Sequence, residues 1–381
     1  MRIAQLANFI GPASGGMKTA VQALAEGYVE AGVQRLLVVP GPTDARFSTE
    51  LGDVVQLRAP RVGASYRLIV EPWRVIDALE RFGPTAIEIN DKSTLLPVTR
   101  WARRTGVGSV LFSHERLDHM LSMRMRLDSS VKTTIGLYNK VLVRQFDTIV
   151  VTSGFARAEF RLAAAAAGCP LARIPLGVDL ATFRPQPRPA AAFDTPVSAD
   201  RPLRLVHVGR LSREKSPHLA VATAVELHRR GAPVHLDVYG DGPHAAELRA
   251  IAGRAPVTFH GHVADRHELA ARIAAADVAL SVCPGETFGL AVLEALACGT
   301  PVVTASTGGA RELVDEASGA WAPPRPTALA EAVEAVAARP EQLRRAAARR
   351  RAEQFPWSAC VDRMLEVHER IGGTTRRRLA A

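Results

Sequence analysis

Glu286 and Glu294 stand eight residues apart in CPGETFGLAVLEALACGTPVV. The apolar pattern predicts a helix beginning near Phe288, with Gly299 closing it. The first turn of any helix carries N–H groups without an intrahelical acceptor, so Phe288, Gly289 and Leu290 offer backbone donors to a diphosphate, which glycine lets approach closely. Glu286, just ahead of that turn, can reach sugar hydroxyls, and Glu294, two turns in, can accept from a ribose diol. The helix macrodipole alone favours a glutamate near the start. It does not account for Glu294 inside an apolar face. About seventy residues earlier, GRLSREK follows a strand that ends at Gly209, with Arg210 and Lys215 five positions apart. Two cations on a strand-end loop can neutralise a departing diphosphate, arginine through paired bonds and lysine as a point charge.

The elements that must hold these residues are apolar strands alternating with helices. RIAQLA, LLVVP, AIEIN, SVLFSHE and DTIVVTS are the strands of the first half. LRLVHVG, VHLDVYG, VTFHGHV, VALSVCP and PVVTAS are those of the second. The fold class is α/β, with two Rossmann-like, doubly wound parallel sheets. Residues 1–182 form one domain and 203–356 the other, and the five-proline segment 183–202 links them. A terminal helix from Trp357 is expected to cross back to the first domain, giving it residues 357–381 as well. Ligands of such sheets lie beyond the carboxyl ends of the strands, so a cleft facing both sheets is the expected site. His114 ends a strand in LFSHERLD and is expected there. GPASGGMKTAV places Gly15 and Gly16 at the start of the first helix. Its spacing is not G-x-G-x-x-G and no acid ends the second strand, which argues against a dinucleotide.

Composition narrows the partners. Hydrophobic residues make up 47% of 381, enough for two cores, and the net charge is +10. Between Arg100 and Arg144 nine basic residues face three acidic ones, a local +6. That stretch has no nucleic-acid motif, so nucleic acid is not expected as a partner. Its HMLSMRMRL run, with Met and Leu alternating with Arg, fits peripheral contact with an anionic membrane. An ordinary solvated helix face is the competing explanation. No apolar run reaches the roughly 18 residues of a membrane span, and the opening residues are not those of a signal peptide. A cytoplasmic protein is expected, with peripheral binding at the inner face of the plasma membrane. Cys169, Cys283, Cys298 and Cys360 lack metal-ligand spacing, and no metal site is expected.

Along nearly its whole length the chain resembles the retaining nucleotide-sugar glycosyltransferases of family 4, whose fold is called GT-B. The resemblance implies that Arg210 and Lys215 are the R-x4-K pair on the leaving diphosphate, and Glu286 and Glu294 the E-x7-E contacts to sugar and ribose. It further implies that Gly308, Gly309 and Glu312 form the G-G-x-x-E element. IPLGVD at 174–179 resembles the family's hinge, with Leu176 in place of the usual asparagine. Gly261, His262 and Val263 would offer backbone groups to the nucleobase, Gly15 and Gly16 would lie near the donor phosphates, and His114 would touch the transferred sugar. The catalytic set is then Arg210, Lys215, Glu286 and His114. SGGMKTAV and SHERLD are most similar to GDP-mannose-dependent α-mannosyltransferases of actinobacteria acting on lipid-linked acceptors. The implied function is transfer of a hexose, mannose from GDP-mannose, to a lipid or glycolipid hydroxyl, without metal or other cofactor. The alternatives are a UDP-glucose or UDP-N-acetylglucosamine enzyme with a soluble acceptor, or a sugar-nucleotide 2-epimerase of the same fold.

Overall fold

The structure is a computed structural model that describes residues 1–8, 10, 15–62, 66–92, 95–116, 129–187 and 201–380, except for the side chains of 129–132 and 373–380. The HMLSMRMRL run, Asp118 and most of the Pro-rich segment lie outside the described residues. The described residues divide into two compact units, one formed by those in 1–116, 129–176 and 357–380, the other by those in 177–356. The division falls at Leu176, ahead of the Pro-rich segment. The reason is local: Phe183 is buried in the second unit, where the Arg349 guanidinium donates to the carbonyls of Phe183 and Ala297 at 3.0 Å.

In the first unit the strands are β1 (Arg2–Leu6), β2 (Gln34–Gly41), β3 (Ala45–Thr49), β4 (Gly52–Arg58), β5 (Arg61–Val62), β6 (Tyr66–Arg67), β7 (Ala86–Ile89), β8 (Gly108–Ser113), β9 (Thr148–Val151) and β10 (Leu171–Arg173). Eight form one sheet in the order β10-β9-β8-β7-β1-β2-β4-β3, parallel except for the edge pair β3–β4. Apolar residues such as Ile87, Ile89, Leu111 and Ile149 fill β7, β8 and β9, as expected of strands covered on both faces. The helices are α1 (Gly16–Glu30), α2 (Pro72–Phe82), α3 (Leu96–Thr105), α4 (Ser129–Leu142) and α5 (Gly154–Ala167). Their ends follow local chemistry: Pro72 opens α2 and Gly83, at φ 63°, closes it, while Ser153 Oγ caps α5 by accepting from the Ala156 N–H at 3.0 Å.

The terminal helix, Trp357–Ala380, belongs to this unit. It packs on α1 and on β7 and β8, and two glycines permit the approach. A methyl group at Gly27 would collide with Val361, and one at Gly108 would lie 2.7 Å from Ile371. Beneath the helix a buried polar network joins five elements, β1, α1, β2, β7 and the terminal helix. The Glu88 carboxylate accepts from Gln5 Nε2 and Tyr28 Oη, both at 2.9 Å, and pairs with His368 Nε2 at 3.2 Å. Arg35 Nε donates to Gln5 Oε1 at 2.6 Å, and burial pushes this guanidinium down to about 10. Burial also pushes the Glu88 carboxyl up, but the bonds from His368, Gln5 and Tyr28 and the charge of His368 outweigh it and hold the carboxyl below its ordinary range.

The second unit holds β11 (Leu203–Val208), β12 (Val234–Tyr239), β13 (Val257–Gly261), β14 (Val278–Ser281), β15 (Val302–Ala305) and β16 (Gly319–Ala322). Its sheet is wholly parallel in the order β13-β12-β11-β14-β15-β16. The helices are α6 (Pro217–Arg229), α7 (Ala245–Ala252), α8 (Arg266–Ala275), α9 (Leu290–Ala297), α10 (Pro326–Ala337) and α11 (Glu341–Ala352). The strand order reverses between β11 and β14, as in the Rossmann arrangement, and ligands bind such sheets at that reversal.

Candidate active site

At the reversal in the second unit, the loop after β11 meets the loop after β14. Lys215 ends a 3-10 turn, Arg213–Lys215, and its Nζ lies 2.8 Å and 3.0 Å from the two carboxylate oxygens of Glu286. The chain reaches this position through Ser216, whose φ of 48° is unusual for a residue with a side chain, and more so for one that precedes proline. Such strain persists only where its surroundings enforce it. The Cys283 thiol, which donates to the Glu214 carbonyl at 3.1 Å, ties the two loops together. Burial pushes that thiol up to about 11, so it stays protonated and structural. Arg210 is more open, and its guanidinium lies 3.7 Å from Glu214.

The helix expected near Phe288 starts two residues later, at Leu290. Gly289 is the cause: its φ of 102° is left-handed, so it caps α9 and leaves Phe288, which is buried, outside it. Leu290 and Ala291 therefore head the helix and present the first N–H groups. A second glycine pair closes in from the loop after β15. Gly309 N–H donates to the Glu286 carbonyl at 2.6 Å, and Gly308 has a φ of 94°. A side chain at Gly308 would stand 3.0 Å from the Pro284 carbonyl and 3.2 Å from that of Glu286. Gly308→Ala should therefore raise the donor KM roughly tenfold and lower stability by about 1–3 kcal/mol. Donor titration and a thermal melt of the variant would check this; an unchanged KM would count against a role for this turn in donor binding. Glu312 lies in the following 3-10 turn, Gly309–Leu313.

Glu294 projects from the second turn of α9, its carboxylate 3.6 Å from Arg266. Burial raises its carboxyl above the ordinary range, Arg266 opposes that, and Asp179 adds to it. Arg266 and Asp179 were not among the expected site residues, because neither belongs to a spaced pair with Glu294. His262 and Val263 follow the edge strand β13, His262 exposed and Val263 half-buried. They connect to the loop after β11 through Gly240, whose N–H donates to the Gly261 carbonyl at 2.7 Å. A side chain on Gly240 would collide with the Gly209 carbonyl, and one on Gly242 with that of Leu211. Three strand ends thus converge on backbone rather than side chains. The glycines of YGDGP were the readable sign of this.

In the first unit the strand order reverses between β1 and β7. Asn8, after β1, donates from Nδ2 to Asp91, after β7, at 3.0 Å. His114, after β8, is half-buried, with its Nε2 2.6 Å from Asn90 Oδ1 and its ring against Phe112 at 4.4 Å between centroids. Burial pushes the imidazole down to about 4; Glu88 opposes the shift and Lys92 reinforces it. His114 is thus neutral at physiological pH. Lys92 pairs with the buried Glu159 at 2.8 Å and also donates to the Glu115 carbonyl. Asn90, Asp91 and Lys92, just past β7, and Glu159, inside α5, give no signal in the sequence, since single polar residues without a spaced partner carry none. Gly15 caps α1, and both it and Gly16 are exposed; a methyl group on Gly15 would meet nothing within 4 Å. Among the described residues no three His, Cys, Asp or Glu side chains are grouped as metal ligands.

Residues 202–339 match the family described as "Glycosyl transferases group 1", and residues 15–177 the "Glycosyl transferase 4-like domain". The chain is 40% identical, over 99% of its length and 98% of the relative's, to a Mycobacterium tuberculosis protein. That protein is named a GDP-mannose-dependent alpha-(1-6)-phosphatidylinositol dimannoside mannosyltransferase. Among solved structures, sucrose-phosphate synthase from Thermosynechococcus elongatus superimposes with a TM-score of 0.78 at 24% identity, covering 98% of this chain and 99% of that one. The Anabaena protein HepE, in complex with UDP and glucose, gives 0.72 at 18% identity, covering 96% and 99%. Two doubly wound parallel sheets, each with loops gathered at its strand reversal, and a relative matched end to end lead to one assignment: this chain belongs to the family 4, group 1 glycosyltransferases and has the GT-B fold.

Proposed function

We propose that the protein moves mannose from GDP-mannose, with retention of anomeric configuration, to a hydroxyl of a lipid-linked acceptor of the phosphatidylinositol mannoside class. The observation that carries the donor half is the Lys215–Glu286 pair at the strand reversal, 2.8 Å apart and beside the head of α9. The end-to-end likeness to a GDP-mannose-dependent enzyme supports the choice of sugar, base and acceptor. In this reading Lys215, Arg210 and the first N–H groups of α9 stabilise charge growing on the departing diphosphate. Glu286 and Glu294 hold sugar and ribose hydroxyls, and backbone near His262 and Val263 receives the base. His114 serves the transferred sugar, and Gly15 and Gly16 shape the approach of phosphate and acceptor. The protein's work is positioning and charge stabilisation, and the leaving phosphate takes the acceptor proton.

GDP-mannose, UDP-glucose and UDP-N-acetylglucosamine offered in parallel should give turnover with GDP-mannose alone, and EDTA should leave the rate unchanged. Inactivity with GDP-mannose would overturn the donor assignment, and loss of rate with EDTA would overturn a metal-free mechanism.

No helix among the described residues is long and apolar enough to cross a membrane. Helix α4 supports peripheral contact at the cytoplasmic face instead. Leu137 and Val141, one turn apart, are 63% and 48% exposed, and Lys140, Arg144, Arg103 and Arg104 are exposed as well. Apolar side chains among cations suit an anionic lipid surface. Replacing both Leu137 and Val141 with Asp should cut co-sedimentation with phosphatidylinositol vesicles by about tenfold or more. Equal binding of both proteins would place the contact elsewhere.

A further inference from the structure

Asn90 is buried, and two bonds to Leu6 extend the pairing of β7 with β1. Its backbone N–H donates to the Leu6 carbonyl at 3.0 Å, and its amide Nδ2 reaches the same oxygen at 3.4 Å. That second bond orients the amide, so the atom facing His114 is the oxygen, 2.6 Å from Nε2. An amide oxygen only accepts, so Nε2 must carry the proton. A neutral imidazole has one N–H, which leaves Nδ1 with a free lone pair.

We infer that Asn90 is a positioning residue: it holds His114 as the Nε2–H tautomer, so that Nδ1 accepts a hydrogen bond from a hydroxyl of the transferred sugar. The inference rests on the role proposed above for His114. The geometry makes the arrangement robust across pH. Glu88 on β7 and Lys92 just beyond it are the charged groups that act on the imidazole, and they do so in opposite directions. Phe112, from its own strand, covers the ring. A protonated His114 would turn Nδ1 from acceptor into donor, and burial prevents that above about pH 4.

The test is 15N NMR of histidine-labelled full-length protein, with the His114 signals assigned by their loss in His114→Gln. In the wild type, Nε2 should appear protonated and Nδ1 bare from pH 8 down to pH 5. Asn90→Asp places a carboxylate against Nε2–H and should raise the titration midpoint by roughly 1–3 pH units. Its kcat/KM should then gain an acidic limb at that midpoint, absent from the wild type and from the double variant with His114→Gln. Asn90→Ala should give a mixture of tautomers and a kcat reduced about tenfold. An Nδ1–H tautomer in the wild type, or an unmoved titration in Asn90→Asp, would overturn the role of Asn90. A His114→Gln enzyme as fast as the wild type would instead overturn the role of His114, and with it the use of Nδ1, whatever the spectra show.

Discussion

Lys215→Ala is expected to lower kcat by about 10²–10³-fold, the usual cost of removing one preorganised group that meets developing charge in the transition state. The resting structure explains why the effect should fall on kcat more than on KM. Lys215 is already held by Glu286 at 2.8 Å and by a strained turn at Ser216, so under the proposed role its cation would be in place before the donor's charge develops. Lys215→Arg should recover little, because a planar fork cannot replace a point charge held at that distance. Glu286→Ala removes the anchor of the same lysine, so the double variant with Lys215→Ala should lose far less than the product of the single losses. Steady-state kinetics with GDP-mannose measures all four variants. A loss below tenfold for Lys215→Ala would mean that Arg210 and the backbone of α9 suffice.

The second large effect concerns stability. Glu88 and His368 are both fully buried, and removing one member of a buried pair leaves the other without its partner. Glu88→Ala and His368→Ala should each destabilise the protein by about 3–5 kcal/mol in denaturant unfolding. Glu88 also makes the first unit acid-sensitive. Its folded carboxyl titrates below its unfolded one, so its contribution is complete above the ordinary carboxylate range of pH. The contribution is lost as pH falls through the depressed folded value. Glu88→Gln, which keeps the shape but has no charge to titrate, should therefore show a shallower acid limb than the wild type. Identical acid limbs would remove Glu88 from the account.

What the sequence disclosed of this molecule followed the range of its signals. The buried parallel strands were legible as continuous apolar runs, and AIEIN, DTIVVTS and PVVTAS are β7, β9 and β15. The edge pair β3–β4 was not anticipated, because β3 is largely exposed and its ARFST has no apolar face to reveal it. In the second unit, the spacing of Glu286 from Glu294 and of Arg210 from Lys215 singles out residues that the structure places on loops at the β11–β14 reversal and on α9. α9 starts two residues past the position its apolar pattern predicts, because a left-handed glycine and a helical one look alike in sequence. The bond from Asn90 to His114 and the Glu88 network were invisible for another reason. Each joins polar residues on different elements, 24 positions apart in one case and 280 in the other, and no local pattern records such a meeting.

Because the terminal helix belongs to the first unit, that unit is assembled from both ends of the chain, with consequences during synthesis. When Leu176 leaves the ribosome, Glu88 has Tyr28 and Gln5 but not His368. At ~5–20 residues per second, His368 follows roughly 10–40 s later. Through that interval the faces of α1 and β8 destined for Val361 and Ile371 stand open to water, while the second unit, ending at Pro356, emerges in full. The second unit is thus complete before the first, although synthesis of the first began earlier.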